Sequence, residues 1–585
     1  MNTRFALGVL ITLVALDLGL TTASAHDPIL GVEPPIIMDT VAPGSSIDVG
    51  KTVHTPEVPP KPDIYFLADT TGSMDPVIVA VQADAAGVLA AVAGMTTDER
   101  FGAGDYKDFP FDVYAFNNAA PIPAADDGGA AALGAIAAWA AGGGSDGPEG
   151  QFYALHQIAS HGAATFRAGS TPIVVWFGDF PAHDPVCMAI SGDLHNITEL
   201  SLTNELVAAG IKVVAISTTT GVPAGLDDDP TAFGGDYLAV CGDEDGASGQ
   251  ATRITTATGG ALLSAVTPAE IADAIVTGLV SLPVTVTPQL GTCDTDLTLS
   301  FAPPSQVVTS GDDAAFVETI DVAAGAPQGG TLNCTVEWLV DGILPDERFV
   351  EQITIHVPGI LLEPALDSNE AGTSHTVTAT VSSGGTPLAG MLTSFEVTAG
   401  LNAGEVSDPG ECATDPNCAT DVAGQVSWTY TGAFVVGSDT IEACFTFEGV
   451  ELCDTATKDW VDTTPPVPAC TPTTNPSGNN VPPAGNNPKS GQNPDGFYEL
   501  TANDSVDANP EIFIADTGSS FGAGPYPSGT KIKLVQAPGA TPGMKPGPNE
   551  IDWMITLNGD ASAYAVDAAG NQSDPVSCLV PPPPK

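Results

Sequence analysis

Basic residues are scarce in this chain of 585 residues: 15 Lys and Arg stand against 71 Asp and Glu, giving a formal net charge of -56. A surface of that sign repels nucleic acid and anionic membranes, so neither is expected as a partner. The ten cysteines contain no C-x-x-C pair, which removes support for a zinc ribbon or a thioredoxin-like site. There is no nucleophile elbow, no zinc-protease motif and no convincing Ser/His/Asp set. The glycines around Gly142 are not followed by the Lys-Ser/Thr of a phosphate-binding loop. The chain is therefore not expected to be an enzyme or to take a small-molecule substrate. Beyond the N-terminus, no stretch reads as apolar and long enough to span a bilayer.

What is present begins with an export signature. Arg4, the apolar run Phe5–Leu16 and Ala23-Ser24-Ala25 match a secretory signal over residues 1–25. The expected location is secreted or extracellular, including the cell surface. An even number of cysteines suits that compartment. They fall in close or domain-confined sets, proposed as Cys187–Cys241, Cys293–Cys334, Cys412–Cys418, Cys444–Cys453 and Cys470–Cys578. Spacing alone does not fix that connectivity. Many Asp residues lie beside Gly, Asn or Pro in turn-like contexts. Two explanations stand side by side: adaptation to salty surroundings, where charge is screened, and calcium binding at several loops.

The pattern changes along the chain. Residues 26–61 are Pro-rich and lack periodicity, so a linker is expected. Over 62–282, apolar strands alternate with helical segments. Strands are expected at Ile64–Ala68, Asp112–Phe116, Pro172–Phe177 and Ile211–Ser217. Helices are expected at Val77–Ala93, Ala130–Ala141, Phe152–Ser160, Thr198–Ala209 and Pro268–Leu279. Such alternation implies an α/β, doubly wound parallel sheet covered on both faces. After Pro283 short alternating runs and turn residues imply about three all-β sandwiches, over 283–358, 359–463 and 464–580. A Pro-rich tail closes the chain at 581–585. The result is a multidomain chain whose sandwiches are expected to act as a stalk.

One strand end carries chemistry. Asp69, Thr71 and Ser73 follow the run Ile64–Ala68 at alternate positions, so a tight loop can aim three oxygens at one point. Hard divalent cations want such an oxygen cage. In α/β sheets, ligands bind at the carboxyl ends of strands, where Asp69 and Asp179 both lie.

The pattern D-x-[ST]-x-S after a strand resembles the metal-ion-dependent adhesion site of von Willebrand factor A domains. Asp146-Gly147-Pro148-Glu149-Gly150 is similar to the second metal loop of the integrin-β variety, and Gly178-Asp179 to the third-loop aspartate. The resemblance implies one site of Asp69, Thr71, Ser73, Glu149 and Asp179, holding Mg²⁺ or Mn²⁺. An Asp or Glu carboxylate from a protein partner would complete the coordination. Three acidic ligands outweigh one divalent charge, so a second cation would help an incoming acid bind. The resemblance places Ca²⁺ there, on Asp108, Asp146, Glu149 and the Pro148 carbonyl, with Asp105 as runner-up for Asp108. Gly144 stands where relatives carry an Asn ligand. Pro76 and Val77 replace the acids of a third metal site, which is expected to be absent. The relatives' long specificity loop is missing, and Gly221–Gly249, with Asp227–Asp229 and Asp243–Asp245, is the candidate to replace it. His183 and Asp184 read as rim residues, and His156 and His161 as ordinary structure.

Downstream, "HTVTATV" and "AGQVSWTYTG" resemble bacterial immunoglobulin-like domains of the invasin type. "DTTPP" and "AVDAAGNQS" are similar to hyalin-repeat or fibronectin-like sandwiches. The implied function is metal-dependent adhesion. The alternative is an extracellular structural or matrix protein whose Mg²⁺ or Ca²⁺ only stabilises folds.

Overall fold

The computed structural model describes residues 30–578 apart from 97, 234–235, 243–244, 408–411, 413–417, 474–494, 537–538 and 548–549. The signal-like segment 1–25, the tail 581–585 and the acidic pair 243–244 lie outside the described residues. The chain divides into two compact units. One comprises Met1–Met38, Ser46–Asp321 and Asn333–Thr354; the other comprises Asp39–Ser45, Val322–Leu332 and Ile355–Lys585.

The segment expected as a linker holds three strands: β1 (Gly31–Glu33), β2 (Ile36–Thr40) and β3 (Ser46–His54). Its prolines cluster outside β3, whose sequence SIDVGKTVH alternates once it is read without them. Next come β4 (Pro62–Asp69), α1 (Asp75–Ala93), β5 (Arg100–Tyr106), β6 (Phe116–Ala120), α2 (Ala130–Ala138) and α3 (Gln151–Ser160). They are followed by β7 (Thr171–Gly178), α4 (Met188–Ser191), α5 (Glu199–Ala208), β8 (Lys212–Thr218), α6 (Asp236–Cys241), α7 (Gln250–Thr258), β9 (Ala261–Val266) and α8 (Ile271–Val280).

Six of these strands form one sheet in the order β6-β5-β4-β7-β8-β9. Neighbours run parallel except β5 with β6. Strand side chains alternate between two separate cores, as a pleat requires. Ile64, Phe66, Ile173, Val175, Phe177, Val214 and Ile216 face one core with α1, α2 and α8. Tyr65, Leu67, Val174, Trp176, Val213 and Ala215 face the other with α3, α5 and α7. Burial on both faces explains why these strands read as unbroken apolar runs.

The expected strand at Asp112–Phe116 is displaced: residues 112–115 are irregular, Phe116 opens β6, and β5 lies between β6 and β4. Gly102 and Gly104 weaken β5 as a sequence signal. Both are demanded by close approach, because a Cβ at Gly104 would lie 2.2 Å from the Tyr65 hydroxyl and one at Gly102 2.8 Å from its ring. One expectation about membranes also changes. Among the described residues, the helix Gly72–Ala93 is long and apolar enough to cross a bilayer by length and composition. Val77, Ile78, Val81, Val88, Leu89 and Val92 are spent instead on the core against the sheet.

Six further strands follow: β10 (Pro283–Cys293), β11 (Leu297–Ala302), β12 (Gln306–Thr309), β13 (Asp313–Val322), β14 (Thr331–Val340) and β15 (Val350–His356). They build two sheets, β1-β3-β13-β11 and β12-β10-β14-β15-β2. β3 pairs antiparallel with β13 from Ser46–Asp321 to His54–Asp313. The α/β domain is thus inserted between β3 and β10 of a sandwich whose strands come from both sides of it.

In the second unit, one pair of sheets is built from Pro358–Glu363, Ser374–Ser383, Thr386–Pro387 and Gln425–Thr431, and from Leu366–Glu370, Val450–Val461, Gly437–Phe447 and Thr393–Gly400. Trp428, Trp460, Phe395 and Phe445 fill their core. A last pair spans Val467–Ser577, with Tyr498, Ile512, Ile532 and Ile555 inside. Five disulfides join Cys187–Cys241, Cys293–Cys334, Cys412–Cys418, Cys444–Cys453 and Cys470–Cys578.

Candidate metal centre

Three loops meet at the carboxyl ends of β4 and β7. The first follows β4. Asp69 closes an Asx-type turn, its Oδ1 accepting from the Thr71 N–H and the Thr71 hydroxyl, each at 2.8 Å. Ser73 lies 3.4 Å from the Thr71 hydroxyl and donates to Asp179 Oδ1 at 3.1 Å. The second loop runs from Ala140 to Gly150. The Gly72 N–H bonds Gly143 O, and the Gly142 N–H bonds Thr70 O, each at 3.1 Å. Gly143 and Gly144 hold φ of +85° and +81°, and a Cβ on Gly143 would lie 2.0 Å from Asp112 Oδ1. Gly144 packs on Thr71 and Glu149, where a Cβ would lie 3.1 Å from Thr71 Cβ and 3.4 Å from Glu149 Oε1.

The third loop follows β7. Glu149 pairs with it through its backbone: its N–H bonds Pro181 O at 2.9 Å, and the His183 N–H bonds Glu149 O at 3.1 Å. The Gln250 side chain clamps Ala182 from both sides, accepting from its N–H at 2.8 Å and donating to its O at 3.1 Å. The structure therefore brings Asp69, Thr71, Ser73, Glu149 and Asp179 together. All are buried except Ser73, which is partly exposed.

Three carboxyls are buried together here. Burial and the nearby Asp179 push the Asp69 carboxyl up to about 8. Burial and Asp69 hold Glu149 well above the carboxylate range, and burial raises Asp179. Asp69 Oδ2 and Glu149 Oε2 are buried with no hydrogen-bond partner among the described residues. An orphaned buried carboxylate oxygen is costly, and a cation is the group that would satisfy it. Two carboxylate oxygens without donors, beside two hydroxyls, fit a hard divalent ion.

Sequence reasoning missed two residues here. Thr220, just past β8, donates to Asp179 Oδ2 at 2.8 Å. The run Thr218-Thr219-Thr220-Gly221 at a strand end was the available signal. Lys107 is buried, and its ammonium donates to the carbonyl oxygens of Thr70, Ala140 and Gly142. Its hydrogens go to backbone, not to the three carboxylates.

At the expected second position, Asp108 and Asp146 do lie together, and His183 joins them. His183 Nε2 is 3.2 Å from Asp108 Oδ1 and 3.6 Å from Asp146 Oδ1, and its ring stacks on Tyr237 at 3.7 Å. His183 is fully buried, not a rim residue. Pro148 is buried beside Glu149. Asp105 faces away from this position, accepting from Thr70, Tyr114 and Asn117. Among the described residues of the candidate specificity stretch Gly221–Gly249, Gly225–Asp227, Pro230–Ala232 and α6 are helical. Asp227 accepts from Thr252 on α7, and Asp229 accepts from Thr231 two residues on.

No family model matches this chain, and no curated protein does. Among solved structures it is similar to the pilus adhesin SpaC from Lactobacillus rhamnosus GG in an open conformation. That match has 10% identity and a TM-score of 0.26, over 92% of this chain and 70% of that one. At that score the likeness carries no argument about mechanism or ligand.

Proposed function

We propose that the inserted α/β domain is a von Willebrand factor A-type head whose Asp69, Thr71, Ser73, Glu149 and Asp179 bind Mg²⁺ or Mn²⁺, and that the protein is an extracellular adhesin. The observation that carries this reading is the pair of buried, unpartnered oxygens, Asp69 Oδ2 and Glu149 Oε2, beside the Thr71 and Ser73 hydroxyls. When bound, the ion supplies a Lewis-acidic position that a carboxylate oxygen can fill. Asp69 and Thr71 form a preset turn, so little ordering remains to be done when the ion arrives. Ser73 is the partly exposed member, so a partner's Asp or Glu would approach beside it. The Lys107 ammonium offsets part of the excess negative charge that would otherwise repel that acid. Asp108, Asp146, Glu149 and the Pro148 carbonyl would share Ca²⁺ beside it, where His183 also lies. We propose no catalytic step.

The test is calorimetric titration of Mg²⁺, Mn²⁺ and Ca²⁺ into the metal-stripped full chain and its Asp179→Ala variant. One saturable site lost in the variant supports the reading, and absence of binding in the intact chain overturns it. The rival, a matrix protein with purely stabilising cations, is separated by Mn²⁺ water-proton relaxation. An acidic peptide that displaces Mn²⁺-bound water shows an exchangeable position, whereas relaxation that no acid alters points to the rival.

A further inference from the structure

A second cluster lies on the opposite flank of the sheet from α1, between α3 and α5. His156 is on α3, His161 caps its C-terminus, Asp193 follows α4, and Glu205 is on α5. On an unbroken helix two residues five apart would point about 140° away from each other. The helix stops at Ser160, and His161 adopts φ -105° and ψ 1°, which folds its ring back over His156.

Three donor atoms then face one point. His156 Nε2 is 3.2 Å from His161 Nε2 and 2.5 Å from Asp193 Oδ2, and His161 Nε2 is 3.7 Å from the same oxygen. The other nitrogen of the inner ring is already committed, with His156 Nδ1 2.6 Å from Glu205 Oε2. A carboxylate on Nδ1 fixes the orientation of the ring and turns Nε2 toward the other two groups. Nε2 thus meets a carboxylate oxygen and a second imidazole nitrogen at one point, a donor set that a divalent cation can hold.

We propose that His156, His161 and Asp193 are the three protein ligands of a zinc-class divalent ion, with Glu205 as the residue that orients His156. The spacings of the three donors bracket the ~3.3 Å edge of a tetrahedron with metal–ligand bonds of about 2.0 Å. Two imidazoles and one carboxylate suit zinc and its first-row neighbours, whereas magnesium and calcium take oxygen. The His156 side chain is 7% exposed and that of His161 52%, so the fourth position opens to solvent. The ion would pin the loop behind α4, which Cys187–Cys241 ties at its other end, to α3 and α5. This site shares no ligand with the adhesion site and does not depend on that reading.

The test uses the full chain with Mg²⁺ in excess and Co²⁺ as titrant. The expected result is one equivalent of Co²⁺ with the visible absorption of a tetrahedral centre, displaced by Zn²⁺. His161→Ala and Asp193→Asn, both at partly exposed positions, should each weaken binding at least tenfold. Glu205→Gln should weaken it about tenfold to a hundredfold by releasing the His156 ring. Asp179→Ala should leave it unchanged. Co²⁺ binding that is equal in wild type and in both His161→Ala and Asp193→Asn overturns the proposal. So does binding lost in Asp179→Ala alone, or no saturable binding; a proton shared between the rings then accounts for the cluster.

Discussion

The Ser73 hydroxyl donates to the Asp179 carboxylate across 3.1 Å, joining loops 106 residues apart in the chain. Asp179 is held from its other side by Thr220, at 2.8 Å. Its two oxygens are thus oriented by hydroxyls from the ends of two different strands. Thr220→Val should keep the fold and weaken Mg²⁺ binding about tenfold, as loss of an orienting outer partner does. Calorimetry of the variant checks this; an unchanged affinity would show that Thr220 does not position Asp179.

Gly221 is the next point of pressure. A Cβ there would lie 2.5 Å from Asp179 O and 2.6 Å from the Phe180 ring. Gly221→Ala should push the third loop off its position at a cost of about 1–3 kcal/mol. Metal affinity should fall more than the unfolding temperature does. A metal affinity equal to wild type would show that the loop absorbs the methyl without moving Asp179.

The inserted topology makes the N-terminal strands indispensable to the sandwich. Nine residues of β3 pair with β13, and Lys51 of β3 is buried against Glu318 and Glu351. A chain beginning at residue 59 should therefore lose protection of Asp313–Val322 in hydrogen exchange. Retained protection there would mean that residues 283–356 fold without their partners.

That buried triad also sets a pH dependence. One lysine serves two carboxylates, Lys51 Nζ being 3.6 Å from Glu318 Oε2 and in closer contact with Glu351. Burial, then the Glu351 charge, pushes Glu318 up to about 8. A carboxyl raised on folding holds its proton in the native state and loses it in the unfolded one. Its stabilising contribution is fully present below the ordinary carboxylate value and fades as pH rises through about 8. Exchange protection of β13 should accordingly fall as pH rises from about 4.5 to about 8, and Glu318→Gln should flatten that slope. A slope unchanged in the variant would assign the dependence elsewhere.

Much of the first site was legible because its information is local. The Asp69–Thr71 turn spans two residues, and its hydroxyls and carboxylate lie beside a run of apolar strand residues. The strand β5 was not legible, since Gly102 and Gly104 answer to the Tyr65 ring on the neighbouring strand. His183 looked like a loop residue because its partners, Asp108 and Asp146, lie 75 and 37 positions upstream.

The sequence by itself determined where strands end in carboxylates, which faces are apolar and that the cysteines fall in close or domain-confined sets. Those features depend on pleat period, turn chemistry and residue type, all expressed within a few positions. Tertiary structure alone decided that β3 completes a sandwich with β13, as in the 2.6 Å contact of His54 with Asp313 across 259 residues. It alone placed Asp193 against His156 and His183 against Asp108. Such pairings are chosen by packing of whole elements, and no short window of sequence carries the position of a partner that arrives from the far end of the chain.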